Sequence, residues 1–242
     1  MTGSRRLGAA RAIVAAFSLA VLGASAVPAQ QPDSSAVIRS VDAAVKARID
    51  GIAGYTVTEY YAVYRNNDET HPAAEMTVKT DYREETGKSY TILSQSGSAI
   101  IRSLVLGAIL DTEKRINLPG NREGSWLTSA NYEMKLKTGT IERLDGRDCV
   151  ALAITPRRKA PNMIEGTLWV DAKDGSIVRI EGTASQSPSV FTGPAHVMRR
   201  YASVNGFGMA THARAVSNSF LFGPTVVTID YRDYQIQLRP AK

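Results

Sequence analysis

Three histidines, one cysteine and one dense basic run are the side chains of this 242-residue sequence with the most evident chemical potential. His71 precedes Pro72 in a turn, and His196 and His212 fall on strand-like segments far apart in the chain. No H-E-x-x-H pattern, paired cysteine or Asp/His cluster accompanies them, so the sequence offers no set of zinc-type ligands. Cys149 has no C-x-x-C partner and sits in a strand pattern, the setting of a small core residue. No G-x-S-x-G elbow and no glycine-rich phosphate loop occurs. Acidic residues are scattered over turns and polar faces, with no pair poised as general acid and base. The sequence reads as a non-enzyme with no metal and no cofactor.

The basic run is Arg157-Arg158-Lys159. Such a cluster suits acidic headgroups or an acidic partner, and near an anionic surface each cation is worth ~1 kcal/mol. No aromatic residues interleave with it, which argues against single-stranded nucleic acid. The formal net charge of +6 also overstates the case, because Arg5, Arg6 and Arg11 belong to a segment expected to be removed and leave +3 behind. No nucleic-acid partner is expected.

That segment has the three parts of a secretory signal. A basic start is followed by the apolar core Ala15–Gly23, then by small residues that fit A-x-A cleavage at Ala24-Ser25-Ala26, with Val27-Pro28-Ala29 as a second candidate. Residues 1–29 are therefore expected to be a signal peptide, residues 30–35 a linker, and residues 36–242 one domain. Elsewhere the longest apolar run, Leu104–Leu110, is too short to span a bilayer. A lone cysteine allows no internal disulfide, so the domain must rest on its apolar core.

Two helices and nine or ten strands follow from periodicity. Val37, Ile38, Val41, Val45 and Ile49 recur at helical spacing behind the candidate caps Asp33, Ser34 and Ser35. From Tyr55 the period becomes two. Met76, Val78, Thr80 and Tyr82 alternate with polar residues, and Ser89–Ser94 continues after the turn at Gly87. Residues 98–116 then carry Ile100, Ile101, Leu104, Val105, Leu106, Ile109 and Leu110 behind a cap at Ser96 or Ser98. That apolar stripe is too wide for a simple outer helix, so this helix must be buried on several sides or cover a greasy surface. Short strands return from Ile141, including a strong hairpin at Asp174-Gly175 and a turn at Asn205-Gly206. Many hairpins with few helices predict one antiparallel sheet curled around its inner face.

The stretch Leu144-Asp145-Gly146-Arg147-Asp148-Cys149-Val150-Ala151-Leu152, the pair Thr155-Pro156, the strand Gly166-Thr167-Leu168-Trp169-Val170-Asp171 and the return strand after Asp174-Gly175 carry a resemblance. This part of the chain resembles the LolA/LolB-like periplasmic lipoprotein carriers and the related amino-terminal domain of the RseB/MucB regulators. Tyr201–Phe207 and Ile229–Tyr234 also look like strands of that superfamily. The resemblance implies an incomplete antiparallel β-barrel of about ten or eleven strands with helices over its open mouth. It also implies a periplasmic, monomeric carrier or sensor that holds acyl chains of lipids or lipoproteins for outer-membrane sorting. Its partners would be an inner-membrane release complex and an outer-membrane acceptor, with at most peripheral membrane contact. On that reading the candidate lipid-binding residues are Ile100, Ile101, Leu104 and Val105 from the lid, and Met76, Val78, Tyr90 and Ile92 from the early strands. Arg157, Arg158 and Lys159 would meet headgroups or a partner. The alternative is a non-enzymatic interaction module of the cell envelope whose barrel is filled.

Overall fold

Helix α1 (Ser34–Gly51) begins where the sequence offers a cap, with the Asp33 carboxylate accepting from the Ser35 backbone N–H at 3.0 Å. The structure is a computed structural model, and it describes residues 33–137, 139–160, 162–186, 195–219 and 223–240. The expected signal peptide lies outside the described residues. Ser34 and Ser35, expected in the linker, already belong to α1. The helix buries Val41 and Val45 and turns its Lys46–Asp50 ion pair to solvent.

Eleven antiparallel strands follow: β1 (Ile52–Arg65), β2 (Ala74–Arg83), β3 (Gly87–Gly97), β4 (Tyr132–Leu136), β5 (Glu142–Leu144), β6 (Arg147–Pro156), β7 (Ile164–Asp171), β8 (Ile177–Ala184), β9 (His196–Val204), β10 (Phe207–Ser219) and β11 (Gly223–Leu238). They form one sheet in the order β3-β2-β1-β11-β10-β9-β8-β7-β6-β4, with β5 also on β6. The first strand thus pairs with the last, and β3 and β4 end the path unpaired with each other, so the barrel stays open. Positive φ at Asn66 and Asn67, at Asp145 and Gly146, and at Asn205 and Gly206 gives three hairpin turns the backbone twist that antiparallel strands require.

The sheet is strongly curved. Tyr82 on β2 and Ile180 on β8 line one cavity although five strand spacings separate them, about 24 Å in a flat sheet. Bulges supply part of the bend. On β11 both Asp233 and Tyr234 stand opposite Val57, with Asp233 at φ 57°, and the extra residue turns Tyr234 to the inner face after Val227, Ile229 and Tyr231. A glycine pair supplies more. Gly166 and Gly182 face each other across β7 and β8, and a Cβ at Gly182 would stand 2.1 Å from the Glu165 carbonyl oxygen. Gly182→Ala is therefore expected to lower stability by about 1–3 kcal/mol in chemical denaturation, because backbone rather than a flexible side chain must yield.

Two apolar clusters occupy the concave face. One joins Val41 of α1 to Tyr132, Met134, Leu152, Ile154, Leu168 and Ile180 of β4 and β6–β8. The hairpin turn between β7 and β8 meets the same helix: Gly175 has φ +71°, and a Cβ there would lie 2.4 Å from the Ser40 carbonyl carbon, so only glycine lets α1 seat this closely. The other cluster joins Tyr61, Val63, Met76, Val78 and Val227 of β1, β2 and β11 to Ile101, Leu106 and Leu110.

Those last three residues lie on a helical segment over residues 99–116. It consists of α2 (Ala99–Ile101), one wide π-turn (Arg102–Gly107) and α3 (Ala108–Ile116). Ser98 caps it by accepting from the Ile101 N–H. An uninterrupted α-helix would set Leu104 and Val105 beneath Ile101. The π-turn widens the spacing instead, so the buried positions step from Ile101 to Leu106 and then to Leu110, and Leu104 turns outward.

Candidate functional site

Between the two apolar clusters the concave face holds a partly open cavity of about 240 Å³. Its roof comes from Val45, Arg48 and Ile49 of α1, Glu113 and Ile116 of α3, and Trp126 and Leu127 of the following loop. Its floor comes from inward positions of β1, β2, β3 and β7–β11. The loop is fixed from both sides. Asp42 of α1 accepts from the Ser129 N–H at 2.8 Å and hydroxyl at 2.6 Å, and Asn162 donates to the Ser125 hydroxyl at 2.6 Å. Arg122 donates to the Tyr82 hydroxyl at 3.0 Å and the Glu84 carbonyl at 2.5 Å, joining the loop to β2.

The floor is polar and aromatic. Lys88 on β3 meets Glu113 on α3 at 2.7 Å, with side-chain exposures of 11% and 23%. Burial is the largest single influence and disfavours both charges, but the neighbouring groups together outweigh it. Lys88, then Arg199, holds the Glu113 carboxyl below its usual range, and Glu113 holds the Lys88 ammonium well above its own. Glu59 on β1 is 2% exposed and accepts from the Tyr61 hydroxyl. Tyr55 stacks on Tyr82 at 5.0 Å between centroids, and Tyr234 donates to the Ala210 carbonyl at 2.9 Å. Burial pushes the phenols of Tyr55, Tyr231 and Tyr234 upward, so they remain neutral donors. Arg199 reaches this floor from β9. Burial opposes its charge, but Tyr201, Tyr231 and Glu113 outweigh burial and keep the guanidinium protonated.

The expected lipid-binding residues occupy different surroundings. Met76, Val78 and Ile101 are buried in the second apolar cluster, with Tyr90 and Val105 packed against it. Ile92, Ile100 and Leu104 are exposed at 50%, 65% and 58%. None of the eight lines the 240 Å³ cavity. Arg157, Arg158 and Lys159 are exposed, and two of them brace the roof loop: Arg157 donates to the Ser129 carbonyl at 3.0 Å and Arg158 to the Gly124 carbonyl at 2.7 Å.

Sequence reasoning missed Glu59, Lys88, Glu113 and Arg199. For two of them a signal was available. Glu59 is in phase with Val57, Tyr61 and Val63, and Arg199 with Val197 and Tyr201, so each is a charge at an inward position of a strand. Lys88 and Glu113 are 25 residues apart, and only the packing of α3 over β3 brings them together. Among the described residues no group of three or more His, Cys, Asp or Glu side chains is placed to hold a metal ion. No helix among them is long and apolar enough to cross a membrane.

No protein-family profile and no curated protein sequence matches the chain. Solved structures with a similar course do exist. A LolA superfamily protein from Nitrosomonas europaea is 13% identical, with 86% of this chain and 96% of that one covered at a TM-score of 0.47. A domain from Vibrio parahaemolyticus described as an outer membrane lipoprotein-sorting protein is also 13% identical, over 85% and 94%, at 0.48. A DUF1329 family protein from Desulfovibrio piger is 14% identical, over 83% and 93%, at 0.42.

Proposed function

We propose that the chain is a periplasmic, monomeric carrier or sensor that takes up acyl chains of lipids or lipoproteins within its curved sheet. The observation that carries this reading is the cavity itself: the concave face is roofed by helices rather than packed solid, and apolar clusters flank the space on both sides. Acyl-chain burial yields ~0.8 kcal/mol per CH2, so one long chain supplies ample affinity without a specific polar partner. The 240 Å³ space is small for a long chain. Loading therefore requires the helical segment over residues 99–116 to shift, withdrawing Ile101, Leu106 and Leu110 from the face formed by Tyr61, Met76 and Val78. The chain would then lie against Met76, Val78, Tyr90 and Ile92, with Ile101 and Val105 closing over it. Ile100 and Leu104, already exposed beside the edge strand, would make the first contact. Arg157, Arg158 and Lys159 stand beside the roof loop, where they suit the acidic headgroups of a membrane touched in passing. Donor and acceptor complexes at the two membranes would complete the cycle.

Two variants test the moving segment. Leu104→Asp leaves stability within about 0.5 kcal/mol, as expected for an exposed site, but abolishes uptake of a fluorescent fatty acid. Unchanged uptake would remove Leu104 from the lid. Gly107 ends the π-turn with helical φ, and the nearest atom to an added Cβ stands 3.6 Å away. Gly107→Ala should thus stabilise the segment by roughly 0.5–1 kcal/mol and slow uptake in stopped flow. Equal stability gain with an unaltered uptake rate would mean that the segment does not deform during loading.

The second reading, an interaction module with a filled barrel, draws on the same second cluster, where Ile101, Leu106 and Leu110 already occupy the apolar face of β1, β2 and β11. It predicts no uptake by either the parent protein or the Gly107→Ala variant.

A further inference from the structure

We propose that the cavity floor is a subsite for one anionic group, a carboxylate or a phosphate, carried by an amphiphile and held by Arg199. The inference rests on the carrier reading and assigns the chemistry of the end of the ligand that enters first. Arg199 sits on the inner face of β9, paired with Ile180 of β8 on one side and Ala213 of β10 on the other. Its Nε is buried and has no hydrogen-bond partner, although the side chain lines the cavity. A guanidinium is a planar fork of donors whose Nε and Nη edge matches two oxygens of a carboxylate or phosphate. A buried donor left idle in that fork is the feature that an oxygen-bearing ligand would complete.

The charges around it point the same way. Among the described residues four cations line the cavity, Arg48, Lys88, Arg122 and Arg199, against three carboxylates, Glu59, Glu84 and Glu113. The carboxylates are engaged: Glu113 with Lys88 at 2.7 Å, Glu84 with Arg239 at 2.8 Å and Arg122 at 3.8 Å, and Glu59 with the Tyr61 hydroxyl. One positive charge is therefore in excess; the Tyr201 hydroxyl accepts from the Arg199 guanidinium, and burial keeps the Tyr231 phenol neutral rather than a competing anion. Ile52, Ile177 and Met209 beside this floor, with Ile49 and Ile116 of the roof above, give apolar surface that would hold the first methylenes of the chain.

Competition against the neutral apolar probe N-phenyl-1-naphthylamine tests this with the mature protein. Laurate, dodecyl phosphate and 1-dodecanol share one chain and differ in the head. In the parent protein the two anionic amphiphiles should displace the probe at about tenfold lower concentration than the alcohol. Arg199→Gln should erase that advantage while leaving 1-dodecanol within about twofold, and Arg199→Lys should restore part of it. Equal potency of laurate and 1-dodecanol in the parent protein overturns the proposal without recourse to any variant. So does an equal loss for all three ligands in Arg199→Gln, which would give Arg199 a structural role. Protection of the folded protein by acetate or inorganic phosphate as strong as that by the amphiphiles would assign the floor to a small free anion and also overturn it. If neither the probe nor any amphiphile binds, the carrier reading itself fails, an outcome distinct from binding that ignores head-group charge.

Discussion

Replacing Lys88 with methionine is expected to lower the unfolding free energy by about 3 kcal/mol, the scale on which removing one partner strands a buried charge. The pair joins β3, at the edge of the sheet, to α3, which forms part of the cavity roof. The double variant Lys88→Met/Glu113→Leu should recover much of the loss, because a packed apolar pair of similar volume replaces a buried ion pair at little cost. Guanidinium unfolding of the four proteins of this cycle measures the coupling directly.

The pair also sets a pH profile. The folded Glu113 carboxyl lies below its ordinary value, so its contribution is present above about pH 4.5 and is lost as pH falls through the depressed folded value. The folded Lys88 ammonium lies above its ordinary value, so its contribution is present below about pH 10.5 and is lost as pH rises through the elevated folded value. Stability should therefore hold between these limits and decline outside them, and Lys88→Met should decline less steeply on the acid side. An acid limb of the same slope in both proteins would mean that other carboxylates govern it.

The second large effect is expected at Leu106. It is fully buried at the centre of the second cluster, on the π-turn, and Leu106→Ala should cost about 2–5 kcal/mol by loss of transfer energy and the cavity left behind. If the segment over residues 99–116 is a cover that opens, the loss falls mainly on the closed state. Hydrogen exchange should then accelerate across residues 99–116 while the core strands β6–β8 keep their protection, and fatty-acid uptake should quicken. Uniformly faster exchange over the whole sheet would instead make the segment an integral part of the core.

Much of this architecture was legible because its signals are local. Alternation placed Met76, Val78 and Tyr82 on one face, the Asp174-Gly175 pair marked the β7–β8 hairpin, and Asp33 and Ser98 stood where the helices begin. The π-turn was not legible, since i→i+5 hydrogen bonding leaves no periodic trace in composition, and it is what turns Leu104 outward and Leu106 inward. Closure of β1 against β11 joins the ends of the sheet's sequence, and no local pattern specifies such a pairing. The polar floor lay between these cases. Glu59 and Arg199 broke an inward apolar phase in plain view, while the meeting of Lys88 with Glu113 depended on how a helix packs over a sheet. Apolar lid and strand residues drew attention as lining candidates because acyl chains need greasy walls, whereas tyrosines and charges bound the cavity as much as apolar residues do.

Native mass spectrometry of the protein purified from the cells that make it, followed by organic extraction, tests the carrier reading most directly. A single amphiphile bound per chain and recovered in the extract, with one anionic group, is the predicted result. A bare mass, with no uptake of added fatty acid, would contradict the account and leave a filled barrel that works through its surface.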